Sequence, residues 1–136
     1  MHLPSVTAFY LGILALLYAV LGLQVSRLRR GNRVLFGDGD NIKLRSAIRA
    51  HANFAEYVPI IVLMVAMLEM SGGPAMRVHL LMAALLLARL LHPLGMYVGP
   101  RSWRFQICRV GGITLTITVM IAAALLILSR LLAGAS

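Results

Sequence analysis

Residues 5–26 contain no charged side chain, and residues 110–129 contain none either. A helix needs about 20 mostly apolar residues to cross the hydrocarbon core of a bilayer, so each segment predicts a membrane span. The composition agrees, because 60% of the 136 residues are hydrophobic and only 12% are charged. A soluble domain of this size would need far more polar surface. The sequence therefore excludes a soluble globular protein, a disordered tail and a disulfide scaffold.

Two further apolar runs lie between these segments, and both carry polar residues. The run that begins at Tyr57 is long enough only if its helix starts near residue 42, and the next run contains Arg89 and His92. Gly72-Gly73-Pro74 and Gly99-Pro100 separate the runs, as glycine and proline do at turns, and Asp40-Asn41 is suited to cap the second helix. We predict one domain, residues 1–136, folded as an all-α four-helix membrane bundle with spans at about 5–27, 42–71, 75–98 and 102–132.

The basic residues predict the orientation in the membrane. Seven of the 13 lie in or beside the first loop and three in or beside the third, which places ten on one side. Basic residues near membrane spans stay cytoplasmic, so both termini face the opposite side. The formal net charge of +9 does not indicate nucleic-acid binding, because the charges lie between long apolar runs rather than on one water-exposed face.

Ionisable side chains within a span are costly and indicate a functional site. Span two carries Arg49, Asn53 and Glu56 at positions i, i+4 and i+7, which share one helix face. Span three carries Arg89 and His92. Together with the arginines at the start of span four, these residues predict one polar pocket near the cytoplasmic ends of the helices. In the alternative interpretation, Glu56 forms a buried ion pair with Arg49 or Arg89 that only orders the bundle.

Several other chemistries are disfavoured. His51 and Glu56 are five residues apart, about 140° around a helix, so they are poor ligands for one metal ion and we expect none. The single Cys108 has no histidine close in sequence to act as its base. The remaining pattern of arginines, one carboxylate, an amide and tyrosines favours a zwitterionic ligand that brings its own reactive group.

The segment Arg49–Pro59, which reads RAHANFAEYVP, resembles the signature of the MAPEG family, the membrane-associated proteins in eicosanoid and glutathione metabolism. The pattern R-x-x-x-N-x-x-E-[YF]-x-P lies on the second of four spans, as in that family. The basic first loop and the arginine that opens span four are also similar to proteins of the microsomal glutathione transferase and prostaglandin E synthase type. Residues 36–41 and the short chain resemble the bacterial branch. Tyr97 follows His92 by five residues, where eicosanoid-forming members have four.

The resemblance implies a homotrimer with glutathione bound as a cosubstrate at subunit interfaces near the cytoplasm. For a protein of the bacterial inner membrane, the orientation predicted from the basic residues places both termini in the periplasm. The resemblance also implies a catalytic arginine at the start of span four, for which Arg109 fits best and Arg104 is the second choice. We expect the remaining contacts with glutathione to come from Arg49, His51, Asn53, Glu56, Tyr57, Arg89, His92, Tyr97 and one of Arg29 and Arg30.

The function predicted from these features is a glutathione-dependent transferase, or a peroxidase, that acts on a lipophilic small molecule dissolved in the bilayer. The alternatives are a non-catalytic lipid- or ligand-binding protein of the same fold and a small transporter subunit. A transport path needs polar residues through the full membrane depth, and spans one and four are apolar through their centres. Membrane lipids are expected partners, and nucleic acid is not.

Overall fold

The computed structural model describes residues 3–98 and 101–134. These residues form four α-helices and a short π-helical segment that runs directly into the last of them. All four helical stretches are long and apolar enough to cross a membrane, which confirms the predicted all-α fold with four membrane helices. The elements are α1 (Ser5–Asn32), α2 (Ile42–Met70), α3 (Ala75–Gly95), the π segment (Phe105–Gly111) and α4 (Gly112–Gly134).

The two central helices, α2 and α3, pack against each other and against both outer helices, α1 and α4. The core between them is mostly apolar and includes Phe54, Ile61, Met82 and Leu85. The outer surface is apolar as well, with many exposed aliphatic side chains on every helix. A soluble monomer rarely exposes so much contiguous apolar surface, whereas lipid chains cover it without cost.

Local signals set the helix ends near the pocket predicted above. The Asn41 side chain accepts a hydrogen bond from the Leu44 backbone N–H at 3.0 Å, which confirms the predicted cap of α2. The helix therefore starts early enough to include the motif residues. It ends before Gly72, whose φ of 79° favours glycine, and α3 begins directly after Pro74. The predicted break at Gly99-Pro100 lies outside the described residues.

Two charged side chains close the opposite end of the bundle by binding helix termini. The Glu69 carboxylate of α2 accepts hydrogen bonds from the Val6 N–H at 2.9 Å and from the N–H and hydroxyl of Thr7 at 2.8 and 2.7 Å. These are N–H groups of the first turn of α1, which have no partner within their own helix. Arg130 of α4 donates in turn to the Ser71 carbonyl at 2.6 Å, at the end of α2. These hydrogen bonds thus link α1 and α4 to the end of α2.

Removing the Glu69 carboxylate should loosen the start of α1. We expect Glu69→Ala to lower the free energy of unfolding by about 1.5–3 kcal/mol, the usual range for hydrogen bonds to a charged group. Glu69→Gln keeps one acceptor oxygen and should lose less. The measurement is reversible unfolding in mixed detergent micelles, followed by circular dichroism. An equal loss of unfolding free energy in the alanine and glutamine variants would show that a neutral acceptor oxygen at residue 69 does not stabilise the start of α1.

Candidate functional site

A buried arginine joins three helices beneath the predicted pocket. Arg89 of α3 is 1% exposed, and its Nη1 donates to the Asn53 Oδ1 of α2 at 2.8 Å. Its Nη2 donates to the Thr116 hydroxyl and, at 3.5 Å, to the Gly112 carbonyl, both on α4. Its Nε has no hydrogen-bond partner. The guanidinium group is therefore held by neutral oxygens, and it fixes the orientation of the Asn53 amide.

The ion pairs considered from the sequence are not formed within one chain. In residues 3–98 and 101–134 the ion pairs link Arg45 to Asp38 and Asp40. Glu56 pairs with neither Arg49 nor Arg89 there, so the interpretation of the polar residues as a bundle-ordering ion pair is wrong for the single chain.

A cavity of about 240 Å³ is lined by polar residues from three elements, one of which is Asn53, the hydrogen-bond partner of Arg89. Arg49 and Asn53 reach it from α2, His92 from α3 and Arg109 from the π segment. The predicted convergence of spans two, three and four at one pocket is therefore observed for these four side chains. Three apolar side chains complete the wall, and sequence reasoning had missed them: Met96, Val110 and Ile113.

Two glycines allow the π segment to approach α3 closely enough to form this cavity. A Cβ atom at Gly95 would lie 2.7 Å from the Arg109 Cβ, and one at Gly112 would lie 3.0 Å from the His92 Cβ. A side chain at Gly95 would collide with the Arg109 backbone, and one at Gly112 would require His92 to shift by a few tenths of an ångström. The glycines thus hold the Arg109 backbone against α3, and the Arg109 guanidinium carbon lies 5.1 Å from the centre of the Phe105 ring. Short π-helical segments often occur at functional sites.

The cavity presents hydrogen-bond donors and a positive charge. Arg49 and Arg109 can only donate. Because Arg89 also only donates, the Asn53 oxygen must face it, which leaves the Asn53 NH₂ group to point toward the cavity. No acidic residue is among the lining residues. Such an arrangement suits carboxylate or another anion, which guanidinium groups bind through paired hydrogen bonds.

The sequence profile of the MAPEG family matches residues 7–129, almost the whole chain. The chain belongs to the MAPEG family. It is 39% identical over 99 residues to the inner membrane protein YecN of Escherichia coli K12, an alignment that covers 73% of this chain and 76% of YecN. The YecN protein of E. coli O6:H1 has the same identity and coverage. No solved structure matches significantly.

The other residues of the MAPEG-like motif on α2 point in several directions. His51 turns toward α1, where its ring stacks on Tyr18 with centroids 4.4 Å apart and Tyr18 also stacks on Phe54. Tyr57 is half-buried against the core. Glu56 is exposed on the outer surface of the single chain. Within one chain, then, α2 contributes Arg49 and Asn53 to the cavity and directs these three elsewhere.

Several predicted site residues outside α2 also lie away from the donor-lined cavity. The Tyr97 hydroxyl accepts a hydrogen bond from the Gln24 amide of α1 at 2.6 Å. Arg104 lies over the Trp103 ring and does not line the cavity, which favours Arg109 of the two candidate catalytic arginines. Arg29 and Arg30 line a different cavity, at the end of α1.

Thr116 is a polar residue of this region that sequence reasoning had not singled out. Thr116 is completely buried in α4. Its hydroxyl accepts a hydrogen bond from the Arg89 guanidinium and donates one to the Gly112 carbonyl at 2.8 Å. A threonine within a membrane span is a common helix-bonding residue, so only the three-dimensional contact with Arg89 distinguishes it from Thr114 and Thr118. No group of three His, Cys, Asp or Glu side chains in the described ranges is placed to hold a metal ion.

Proposed function

We propose that this MAPEG protein is a membrane-bound, glutathione-dependent transferase for lipophilic electrophiles. The observation that carries the proposal is the donor-lined cavity, whose wall includes Arg49 and Arg109 from different helices, neither of them with a carboxylate partner in the described part of the chain. An anionic ligand would supply the missing charge. Family membership makes glutathione the leading candidate.

Glutathione has the functional groups that such a site requires. Its two carboxylates can accept hydrogen bonds from Arg49 and from the Asn53 NH₂ group, while Arg89 acts from below as a positioning residue. His92 forms part of the wall beside them. Glu56, the acidic residue of the motif, is available for the glutathione ammonium group because no ion pair engages it within residues 3–98 and 101–134.

Arg109 is the residue we assign to thiol activation. A free thiol has a pKa near 8.5, and lowering that pKa by one unit requires about 1.4 kcal/mol of stabilisation of the thiolate. One guanidinium in a partly dehydrated cavity can supply that amount. The thiol proton passes to water, the sulfur forms a bond with the electrophilic carbon of the second substrate, and the leaving group departs with its electron pair. Peroxide reduction would use the same thiolate.

The position of Glu56 supports a site shared between copies of the chain. A span of about 20 residues that ends at Met70 includes Glu56, and a carboxylate exposed to lipid at that depth is costly. A second copy packed on this face would cover it. The homotrimer implied by the MAPEG resemblance meets this requirement, and contacts of glutathione with His51, Tyr57, Tyr97 and an arginine of α1 would then arise across the interface.

The excess of basic residues around the first and third loops supports an orientation with the cavity toward the cytoplasm and both termini in the periplasm. Glutathione would then enter from water and the second substrate from lipid. An inner-membrane location is consistent with the name of the E. coli relative.

A non-catalytic, lipid-binding role is the second candidate, and an apolar groove favours it. The groove has a volume of about 520 Å³ and lies between α1 and α2, with Leu14, Tyr18, Phe54 and Val62 among its lining residues. It opens on the apolar outer surface and could hold an acyl chain. A protein with this role would bind a ligand without activating a thiol.

The experiment that separates the candidates is titration of glutathione into the detergent-purified protein by calorimetry, with the ultraviolet absorbance of the thiolate read in the same samples. We expect saturable binding and a thiolate signal at neutral pH. Arg109→Ala should reduce the thiolate fraction about tenfold, which corresponds to one pKa unit. Arg104→Ala is the matched control, since Arg104 lies in the same stretch of chain but outside the cavity.

Each other outcome has a defined meaning. Binding without a thiolate signal would contradict the transferase and favour the ligand-binding role. A signal lost in Arg104→Ala but kept in Arg109→Ala would exchange the roles of the two arginines. No binding at millimolar glutathione would overturn the proposal.

A further inference from the structure

A second basic cavity lies at the end of α1, apart from the donor-lined cavity. It has a volume of about 580 Å³ and is lined by Ser26, Arg29, Arg30, Arg33, Val34 and Leu35. Three of these six residues carry a guanidinium group and none is acidic. The cavity therefore concentrates positive charge in a small space.

The nearby carboxylates do not neutralise this charge, because another residue engages them. Asp38 and Asp40 of the first loop both pair with Arg45 at the start of α2. The hydrogen bond from Arg45 holds the pKa of the Asp38 carboxyl below its usual value. The arginines of the cavity form no ion pair within residues 3–98 and 101–134.

The backbone at the end of α1 places the third arginine at a conformational cost. Arg33 has a φ of 55°, in the left-handed region that glycine or asparagine adopts more easily at the end of a helix. Its N–H donates to the Arg30 carbonyl at 3.2 Å, and the Val34 N–H donates to the Arg29 carbonyl at 3.0 Å. These bonds satisfy carbonyls of the last turn, so the negative end of the helix is partly covered.

The length of α1 places this cavity at the level of the lipid headgroups. At 1.5 Å per residue its 28 residues extend about 42 Å, whereas the hydrocarbon core is about 30 Å thick. The last turns of the helix therefore leave the core. Directly beyond them, Leu35 and Phe36 are 84% and 90% exposed. Basic groups beside exposed apolar side chains are typical of segments that bind at a membrane interface.

We propose that this cavity binds the phosphate of an anionic phospholipid. Arg29, Arg30 and Arg33 donate to the phosphate oxygens, for which guanidinium groups are well shaped. Leu35 and Phe36 contact the upper part of the acyl chains. One of Arg29 and Arg30 is also expected to contact glutathione, so the lipid site is tested through Arg33, which has no part in the proposed glutathione site.

The test measures binding of phosphatidylglycerol and phosphatidylcholine to the full chain in neutral detergent, by native mass spectrometry. The variant is Arg33→Asn, since asparagine accepts the left-handed conformation and should keep the fold. The control is Arg27→Gln, because Arg27 is an exposed arginine of the same helix that does not line the cavity. We expect Arg33→Asn to weaken phosphatidylglycerol binding about tenfold and Arg27→Gln to change it less than about twofold.

The probe lipids and a soluble anion distinguish the sources of the phosphate. Phosphatidylcholine should bind more weakly than phosphatidylglycerol and be insensitive to Arg33→Asn. Equal effects of the two substitutions on phosphatidylglycerol would overturn the proposal. So would displacement of phosphatidylglycerol by an equal concentration of inorganic phosphate, since the site would then recognise a free anion. Glutathione titration of Arg33→Asn checks that the other site and the fold are intact.

Discussion

Replacing Arg89 with alanine should lower the free energy of unfolding by about 3–5 kcal/mol, the range for truncating a large buried side chain to alanine. The substitution empties the space of a long side chain and removes the donor that joins Asn53 of α2 to Thr116 of α4. Both acceptors then lose a partner in the interior. Unfolding in mixed detergent micelles, followed by circular dichroism, measures the loss.

Two further variants test this explanation. Arg77→Ala is the matched control on the same helix, because Arg77 is exposed, and it should change stability by less than about 0.5 kcal/mol. Arg89→Met keeps most of the volume and removes a charge that has no carboxylate partner, so it should cost only about 1 kcal/mol. It should nevertheless weaken glutathione binding, since Asn53 is no longer oriented. Equal stability of Arg89→Ala and Arg77→Ala would contradict the structural role.

Gly95→Val should both destabilise the protein and disrupt the donor-lined cavity. The new Cβ would lie 2.7 Å from the Arg109 Cβ and 2.9 Å from its Cα, so the π segment must move away from α3. Overpacking of this kind costs about 1–3 kcal/mol or more. Because Arg109 moves with the backbone, we also expect glutathione affinity and the thiolate signal to fall.

Gly12→Val is the matched control for this prediction. Gly12 also lies within a helix, but a Cβ there would have no atom within 4 Å. Both variants replace glycine with valine, which has a slightly higher helix propensity, so the difference between them reports mainly the contact with Arg109. If Gly95→Val unfolded like Gly12→Val and kept the thiolate signal, the close approach of the π segment to α3 would be wrong.

Much of the fold follows from local sequence, because the bilayer restricts the available structures. Backbone groups in lipid must be hydrogen-bonded internally, so a long apolar segment has few alternatives to a helix. The cap at Asn41 and the break at Gly72 are also local features. Arg49 and Asn53 both line the cavity because their spacing of four residues places them on the same face of α2.

The features that were missed depend on contacts between distant parts of the chain. Glu69 binds the start of α1 across 62 and 63 residues, and no spacing rule predicts such a pair. The direction of the His51 ring could not be predicted from the sequence either, because it depends on stacking with Tyr18 and on the space beside Gly22 of α1. Arg89 was expected to contact glutathione directly, whereas its burial and its neutral partners favour a positioning role.

The π segment gives this chain a place where its length could change by one residue without disturbing the bundle. Each of its turns contains more residues than an α-helical turn, so deletion of a single residue there could restore ordinary winding and leave Gly112–Gly134 in place. Relatives could therefore differ by one residue between the tyrosine after α3 and the arginine before α4 and still hold that arginine against the same glycine of α3.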